Sequence, residues 1–360
     1  MDRRSFLTTS AVGGAAAAAG TLAAPAYAQG KRTLTMVTTW GRGLAGVFDA
    51  AQRVADSITD MTDGELTVEI KAAGELVGAF EVFDAVTSGQ ADMYHGADYY
   101  FVGQHPSYAF YTAVPFGMTA QELANWYYHD GGMELHDQLG GIFGLKSFLA
   151  GNTGAQAGGW FNSEIKSAED FNGLKFRMPG LGGKALGKLG ASVQNIPGAE
   201  VYQALSSGAI DGTEWIGPWA DEKAGFQEIT KIYYTSGFHE PGAGLSVATN
   251  RDVFESLSPA HQKVIEIACA ECHQWNLAQF LSENGAALQR LQAGGVKTLE
   301  FPDDVWDAFG KASAEVHEEN MGDSIYKETY ESVMASMKAS SEWLTKSEGA
   351  YRSQRDRVLG

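Results

Sequence analysis

Hydrophobic and polar positions near the start of the chain switch between two periods. Residues 33–40 (TLTMVTTW) are rich in β-branched side chains, which predicts a buried strand. Apolar residues then recur at close to i, i+3, i+4 and i+7 between 45 and 61, which predicts an amphipathic helix. Alternation over 66–70 predicts a second strand, followed by a helix over 77–87 and a short strand over 91–95. This order predicts a parallel sheet with helices on its faces.

A similar order returns in the middle of the chain. Segments 85–92 (AVTSGQAD) and 204–211 (ALSSGAID) both indicate a helix end, a glycine that stops the helix and an aspartate that enters a strand. Two lobes of similar construction would explain the repeat, although such junctions are also common by chance. The other strands and helices predicted around the second segment are 174–178, 184–189, 193–196, 200–206 and 212–216.

The last third of the chain is predicted to be mostly helical. Before it, strands at 232–236 and 244–250 are expected to return the chain toward the first lobe. Ser258 and Pro259 are typical of the N-cap and first position of a helix. The apolar pattern continues to about residue 290, so this helix would be about 45 Å long at 1.5 Å per residue and would touch both lobes.

The elements together predict an α/β protein with two lobes, a long lobe-spanning helix and a C-terminal helical tail. We expect the first lobe to comprise residues 29–151 and about 245–300, and the second lobe residues 152–244. Residues 301–360 are expected to form the C-terminal helices.

Composition and charge narrow the range of partners. The 360 residues include 44 Asp and Glu against 26 Lys and Arg, which gives a net charge of −18. Such an acidic chain is unsuited to nucleic acid, whose phosphates require Lys and Arg, or to an anionic membrane surface. Two cysteines are too few for a disulfide-dense scaffold.

The N-terminus has the features of an export signal. Arg3-Arg4 precedes an Ala- and Gly-rich stretch and an A-x-A site at 26–28, so we expect cleavage near Ala28 and export to the periplasm by the twin-arginine route. A general secretory signal with two chance arginines is the alternative. The apolar stretch is shorter than the ~20 residues of a membrane span. Residues 1–28 carry one net positive charge, so the remainder carries −19.

A C-x-x-C-H motif at 269–273 matches the attachment sequence of c-type haem. It falls inside the predicted long apolar helix, and twin-arginine export generally carries folded chains. A disulfide is a second alternative. We interpret Cys269 and Cys272 as buried free thiols and expect no haem.

Other catalytic patterns are weak. Residues 180–185 (GLGGKA) match a loose dinucleotide motif, but they lie far into the chain and follow Pro179, so a glycine turn close to a ligand is the better interpretation. The eight histidines form no zinc-binding spacing, and no nucleophile–base arrangement is evident.

Three polar, glycine-containing segments of the second lobe are the candidate binding site: 152–161, 173–180 and 211–218. Arg177 and Glu214 each lie at the end of a predicted strand, where ligands of parallel sheets bind. An arginine there suits a carboxylate, and Glu214 would repel that carboxylate unless a cation lies between them. The alternatives are an Arg177–Glu214 ion pair and Trp215 as a core residue.

Several motifs are shared with a known family: 74–76 (GEL), 113–117 (AVPFG), 169–177 (EDFNGLKFR), 210–214 (IDGTE) and 257–262 (LSPAHQ). Through them the chain resembles the periplasmic solute receptors of tripartite ATP-independent periplasmic (TRAP) transporters of the DctP type. Runs 151–161 (GNTGAQAGGWF) and 213–218 (TEWIGP) are similar to the branch that binds 2-oxo acids or lactate with a metal ion.

The resemblance implies a type II periplasmic-binding-protein fold whose lobes close on a small carboxylate. It implies that Arg177 takes the carboxylate. It further implies that Gln156, the Glu214 side chain and the Trp215 carbonyl ligate Na⁺ or Ca²⁺, an oxygen set suited to a hard ion. Tyr100 is expected to donate to the ligand. The residues expected to line the pocket are Trp40, Trp215 and Phe238.

The function implied is that of a binding protein, not an enzyme, which delivers a pyruvate-like 2-oxo monocarboxylate to the membrane subunits and dimerises through its C-terminal helices. A receptor for lactate or another 2-hydroxy acid with Ca²⁺ is the first alternative. An exported enzyme of carboxylate metabolism, using Glu214 or His239, is the second. Where this chain has Phe238 and His239 before Glu240, the branch often has two tryptophans. The smaller Phe238 and the polar His239 would admit a ligand with a larger or more polar side chain than the methyl group of pyruvate.

Overall fold

The computed structural model describes residues 31–360. The predicted export signal and its cleavage site lie outside the described residues. The strands are β1 (Arg32–Thr38), β2 (Leu66–Lys71), β3 (Met93–Gly96), β4 (Leu145–Asn152), β5 (Gly159–Phe161), β6 (Lys175–Arg177), β7 (Ser192–Gln194), β8 (Gly212–Thr213), β9 (Ile232–Tyr234), β10 (Gly244–Asn250) and β11 (Lys297–Leu299). The α-helices are α1 (Val47–Met61), α2 (Val82–Thr87), α3 (Ala120–His129), α4 (Gly132–Ile142), α5 (Gly180–Lys188), α6 (Gly198–Ser206), α7 (Pro218–Ala224), α8 (Arg251–Glu255), α9 (Pro259–Ala293), α10 (Asp303–Asn320), α11 (Ser324–Leu344) and α12 (Ala350–Leu359).

The first sheet has the strand order β2-β1-β3-β10-β4. Strand β1 runs parallel to β2 and β3, as its alternation with α1 and α2 predicts. Strand β10 inserts antiparallel between β3 and β4, and six of its seven residues are buried. The return of 244–250 to the first lobe is therefore confirmed.

The second sheet has the order β11-β9-β5-β8-β6-β7. Two expectations fail here. Strand β9 does not return to the first lobe, because its two edges pair with β5 and β11 of this sheet. For the same reason β11 belongs to the second sheet, although it falls within the span 245–300 that was assigned to the first lobe.

Helix α9 connects the lobes and begins where the sequence indicates. The Ser258 hydroxyl accepts a hydrogen bond from His261 N at 3.1 Å, and Pro259 occupies the first turn. Toward the first lobe, Asn276 accepts from Asn152 N at 3.1 Å. Toward the second, Asn284 accepts from Trp219 N at 3.0 Å. The 35-residue helix is about 52 Å long at 1.5 Å per residue.

The C-x-x-C-H motif lies on a buried part of this helix. Cys269 and Cys272 are buried free thiols, as expected, and burial raises the pKa of both. The Cys272 thiol donates to the carbonyl of Ala50 at 3.4 Å. Nδ1 of His273 is 2.9 Å from the carbonyl of Gly151. These contacts assign the motif to packing of α9 against α1 and the first sheet.

The glycines at 180–183 form the first turn of α5, which therefore starts earlier than the predicted 184. A Cβ at Gly183 would lie 2.2 Å from the carbonyl oxygen of Met178, so glycine allows the helix to approach the end of β6. Close backbone packing, rather than a nucleotide-type loop, explains this motif.

The C-terminal tail is helical, as predicted. Helix α10 packs on α5, and α11 packs on α3, where Trp126 Nε1 donates to Ser332 at 2.9 Å. Of the described residues beyond 336, none is buried. No helix within residues 31–360 combines the length and apolar character needed to cross a membrane.

Candidate functional site

Two neighbouring parallel strands bring Arg177 and Glu214 together. Arg177 is the last residue of β6 and lies in register with Thr213 of β8, directly before Glu214. Because carboxyl ends of parallel strands meet at one edge of the sheet, both side chains point to the same place. Arg177 and Glu214 are fully buried there.

Arg177 is held by contacts from both lobes. Its Nη1 forms an ion pair with Oε1 of Glu214, and Nε donates to the carbonyl of Ile196 at 3.1 Å. Its Nη2 donates to the Tyr100 hydroxyl of the first lobe at 3.3 Å, and the guanidinium lies 5.3 Å from the Trp215 ring centroid. Burial opposes the charge, but the Glu214 carboxylate together with the Tyr100 and Tyr99 hydroxyls outweighs it and raises the pKa of Arg177. The ion pair considered as an alternative is thus present.

Gln156 lies on the connection from β4 to β5. Its Nε2 donates to the Thr153 hydroxyl at 3.0 Å, and its backbone N–H donates to the carbonyl of Glu240 at 2.9 Å. Oε1 of the same amide is buried without a hydrogen-bond partner among the described residues. An acceptor in this state suits a cation or a donating ligand.

A narrow cavity opens between the two lobes beside Gln156. Apolar side chains with a few polar groups line it, which is typical of a small-molecule site. It contains four of the residues predicted to bind the ligand, namely Trp40, Tyr100, Gln156 and Trp215, with further lining by Val47, Tyr99, Thr112, Thr153, Ile216, Ala243 and Leu245.

Trp40 is fixed in this wall by a buried histidine. The indole Nε1 donates to Nδ1 of His95 at 2.8 Å, so Nε2 of His95 carries the proton and donates to the Ala150 carbonyl at 3.1 Å. Burial lowers the pKa of His95 to about 4, so the ring stays neutral at pH 7. The Trp40 ring meets Tyr100 edge-on at 6.1 Å between centroids.

Phe238 does not line this cavity, contrary to expectation. Its ring stacks on Phe309 of α10 at 3.8 Å between centroids and lies near Phe116. The side chain belongs to an apolar cluster under the C-terminal helices, where a phenyl ring is better buried than beside Arg177.

The next two residues, His239 and Glu240, do lie at the site beside Glu214. The sequence did not predict them as ligands. One donor atom each of Glu214, His239 and Glu240 lies within 4.8 Å of the others, and all three residues are buried. Burial raises the pKa of Glu240 well above its usual value, and the charge of Glu214 raises it further while Arg177 opposes the shift. The signal available in the sequence was an acid directly after the two atypical positions 238 and 239.

Three buried oxygens of this cleft fit a hard cation. Oε1 of Gln156, Oε2 of Glu214 and Oε2 of Glu240 have no hydrogen-bond partner within residues 31–360. Carboxylate and amide oxygens are the ligands that Na⁺ and Ca²⁺ prefer, and unpaired buried carboxylates are unstable without compensating charge. The donor set therefore matches the predicted ion, with Glu240 as an added candidate.

A further buried acid, Asp221, stabilises the turn that follows Glu214 and Trp215. The fully buried carboxylate of Asp221 accepts from the N–H groups of Ile216 and Gly217 at 3.1 and 3.0 Å. It also accepts from Trp160 Nε1 at 2.9 Å and from the Tyr233 hydroxyl at 3.0 Å. These bonds fix the turn that follows Glu214 and Trp215.

Comparison with known proteins finds one family over most of the chain. Residues 42–323 match the family described as bacterial extracellular solute-binding protein, family 7. A monocarboxylate 2-oxoacid-binding periplasmic protein of Nostoc sp. is 41% identical over 317 residues, which cover 88% of this chain and 87% of the relative.

Solved structures agree with the fold. A TRAP transporter solute-binding protein from Bordetella bronchiseptica, described as a mixed-occupancy dimer with copurified calcium and picolinate in one site, is 33% identical with a TM-score of 0.90. The match covers 92% of this chain and 98% of that one. A TRAP periplasmic solute-binding protein from Pseudoalteromonas atlantica with bound sodium and pyruvate is 38% identical with a TM-score of 0.87, over 90% and 99% of the two chains.

Proposed function

Because this chain belongs to the bacterial extracellular solute-binding proteins, family 7, we propose that it is the periplasmic receptor of a TRAP transporter for a 2-oxo monocarboxylate such as pyruvate. The observation that carries the proposal is the cleft between the lobes, where the buried Arg177 pairs with Glu214 and three buried oxygens have no partner in the described chain. The names of the relatives from Nostoc and Pseudoalteromonas support the ligand class.

A charge count supports a cation as part of the site. Arg177 contributes one positive charge, and Glu214 and Glu240 contribute two negative charges when ionised. A monocarboxylate would add a third negative charge to a fully buried cluster. Since such an imbalance is unfavourable away from water, binding requires added positive charge, and a divalent ion would neutralise the cluster.

The residues of this chain have distinct tasks in that complex. Arg177 binds the ligand carboxylate through the face turned toward Tyr100, whose 3.3 Å contact is long enough to exchange for a stronger partner. Tyr100 donates its hydroxyl hydrogen to the ligand. Trp40 and Trp215 exclude water, which strengthens both interactions. A bound Na⁺ or Ca²⁺ would supply positive charge, held by Gln156, Glu214, Glu240 and the Trp215 carbonyl.

The receptor would capture and release its ligand without turnover. Lobes built on separate sheets, joined by the segments between β4 and β5 and between β9 and β10, would close on the ligand and then dock on the membrane subunits of the transporter. Incubation with pyruvate should return pyruvate unchanged. Formation of a product would favour the alternative of an exported enzyme.

We further propose a homodimer through the C-terminal helices. Trp343 and Tyr351 are 72% and 66% exposed, on helices that bury no side chain in this part of the described chain. A second copy would cover them, and the Bordetella relative was crystallised as a dimer. Light scattering should give a dimer for the exported chain and a monomer after truncation at residue 344. A monomer in both cases would contradict the proposal.

The export proposal has its own test. Twin-arginine export with cleavage after Ala28 predicts a mature N-terminus at Gln29, and Arg3-Arg4→Lys-Lys should block export. Edman sequencing of the periplasmic protein and blotting of cell fractions measure both. Unimpaired export of the Lys-Lys variant would indicate a general secretory signal.

A thermal-shift panel tests the ligand class. We expect pyruvate with Na⁺ or Ca²⁺ to raise the melting temperature, since a ligand at 100 times its Kd adds about 2.7 kcal/mol of stability. Lactate with Ca²⁺ provides the competing arm, and a larger shift with lactate would reassign the ligand to a 2-hydroxy acid. Absence of a shift with all small monocarboxylates would contradict the receptor proposal.

A further inference from the structure

We infer that Asp98 is a positioning residue for ligand binding: with His136 behind it, its buried carboxylate fixes the short turn that presents the Tyr100 hydroxyl to Arg177 and to the ligand. The inference rests on the proposed function, because it takes Tyr100 as a donor to the bound carboxylate. Asp98 is not among the described residues that line the cleft cavity, so its effect on binding has to pass through the turn.

The turn at residues 98–101 carries Tyr100 into the site. It is a single 3₁₀ turn that begins two residues after β3, at the carboxyl end of a parallel strand. From there the Tyr100 hydroxyl reaches the second lobe, where it lies 3.3 Å from Nη2 of Arg177. Burial raises the pKa of Tyr100 although the Arg177 charge opposes the shift, so the hydroxyl keeps its hydrogen for donation. The position of this turn therefore decides where the donor lies.

The carboxylate of Asp98 ties the start of the turn to three other elements. The side chain is fully buried, and Oδ1 accepts from the Tyr94 hydroxyl of β3 at 3.2 Å. Oδ2 accepts from the Ser246 hydroxyl of β10 at 2.7 Å. Nε2 of His136, on α4, lies 3.1 Å from the same Oδ2. A strand of each direction and a helix thus converge on one side chain two positions before Tyr100.

His136 is itself held in place. It is fully buried, and its ring stacks on Tyr111 at 3.8 Å between centroids with 9° between the planes. Its Nδ1 lies 3.4 Å from the Tyr127 hydroxyl. The imidazole cannot turn away from Asp98 without losing both contacts, so it forms a fixed support behind the carboxylate.

The main chain of the turn is held by longer hydrogen bonds than its first side chain. Tyr99 N donates to the Thr112 hydroxyl at 3.3 Å. Tyr100 N donates to the carbonyl of Ala97 at 3.1 Å. A group that contacts a small ligand has to be held to within about 0.5 Å, which supporting hydrogen bonds provide. The contacts of Asp98 supply that support.

Stabilisation of the first lobe alone is the competing explanation. The two explanations differ in what they predict when the Tyr100 hydroxyl is absent. A purely structural role of Asp98 would cost the same affinity with or without that hydroxyl, whereas a positioning role costs almost nothing once the hydroxyl has gone. A double-mutant cycle measures this difference.

The test is that cycle on the exported chain, with pyruvate titrated calorimetrically in the presence of Ca²⁺. Tyr100→Phe should weaken pyruvate binding roughly 10- to 150-fold, as expected for a lost hydrogen bond to a charged group. Asp98→Asn keeps the shape of the side chain but removes its charge, so the turn loosens and affinity should fall by at least about fivefold. In the Tyr100→Phe background the same change should cost less than about twofold.

Asp137→Asn is the matched control, because it removes a carboxylate from α4 without touching the turn. It breaks the 2.7 Å pair with Arg251 and should lower stability in urea denaturation. Pyruvate affinity should stay within about twofold of wild type.

The outcomes separate this inference from the proposed function. Loss of affinity on Asp98→Asn only where the Tyr100 hydroxyl is present supports the inference. An equal loss in both backgrounds, no loss in wild type, or a Tyr100→Phe variant that binds as wild type would each overturn it and leave the receptor intact. Absence of pyruvate binding by wild type with either Na⁺ or Ca²⁺ would instead contradict the receptor, and the inference with it.

A milder variant keeps the test valid if Asp98→Asn does not fold. Ser246→Ala removes the 2.7 Å donor to Oδ2 of Asp98 and leaves the carboxylate in place. Pyruvate affinity should fall about two- to tenfold in wild type and stay constant in Tyr100→Phe, with circular dichroism checking the fold of each variant. Unchanged affinity of Ser246→Ala in the wild-type background would contradict the positioning role.

Discussion

Two buried carboxylates, Asp221 on α7 and Glu240 on the connection from β9 to β10, have similar burial but opposite surroundings. Asp221 accepts four hydrogen bonds from its own lobe. Glu240 has an oxygen without a hydrogen-bond partner in the described chain and lies against Glu214. The number of hydrogen-bond donors thus distinguishes Asp221, which stabilises the fold, from Glu240, which is available to bind a ligand or an ion. Burial alone does not mark a functional acid, whereas burial without donors does.

The largest effect is expected at Arg177, which pairs with Glu214 beside Glu240. Arg177→Met leaves Glu214 buried and unpaired, which should lower the free energy of unfolding by about 3–5 kcal/mol. Pyruvate affinity should fall by at least the 2–5 kcal/mol typical of a buried charge partner, roughly 30-fold or more. Urea denaturation and calorimetry measure the two effects.

A double variant separates stability from binding. Adding Glu214→Gln to Arg177→Met removes the unpaired charge and should recover most of the stability but none of the binding. The control Arg53→Ala breaks the exposed pair with Glu271 and should change stability by about 0–1 kcal/mol and leave binding unchanged. Normal pyruvate binding by Arg177→Met would show that the carboxylate is held elsewhere.

Glu240→Gln should affect the ion more than the fold. The neutral amide removes a buried charge, so the ion-free protein should be at least as stable as wild type, since the pKa of Glu240 is already raised by burial and by Glu214. The Ca²⁺ concentration required for pyruvate binding should rise about 10- to 100-fold. Unchanged Ca²⁺ dependence would remove Glu240 from the proposed set of ligands.

Asp221→Asn should affect the stability of the fold more than the binding of the ion. The amide group cannot accept all four donated hydrogens, and unpaired buried donors cost about 1–3 kcal/mol. Urea denaturation should show this loss, while the Ca²⁺ requirement at saturating pyruvate stays close to that of wild type. A lost Ca²⁺ requirement with normal stability would reverse the roles assigned to the two acids.

The smallest effect is a difference in pH dependence. Burial raises the pKa of Asp221 to about 7 from its usual 3.8, despite the opposing hydrogen bonds. The folded state then binds more protons than the unfolded state between about pH 4 and 7, so this group lowers stability as pH rises through that window. Asp221→Asn should lack this part of the slope in urea denaturation at pH 4.5, 5.5, 6.5 and 7.5. Identical slopes would contradict the shift.

The sequence predicted what local patterns determine. Strand and helix periods placed β1 to β3, the Ser258-Pro259 start placed α9, and the strand ends brought Arg177 near Glu214. It expected β9 to lead back to the first lobe and placed β11 in that lobe, whereas both join the second sheet, because strands of three residues carry no mark of the sheet they join.

The unpredicted part of the site depends on packing between distant segments. Phe238 turned away because α10 offers a stacking partner from about seventy residues later in the chain. His239 and Glu240 reached the cleft on the connection between two sheets, where periodicity gives no orientation. Asp221 was missed because its four donors come from three separate segments.

The most direct test of the central claim is a calorimetric titration of pyruvate into chelator-treated protein, with and without Ca²⁺, on wild type and Glu240→Gln. If the unpartnered oxygens of the cleft hold an ion that in turn admits the ligand, wild type in sodium-free buffer binds pyruvate only when Ca²⁺ is present, and Glu240→Gln requires far more of it. Equal pyruvate affinity with and without Ca²⁺ in both proteins would contradict the claim.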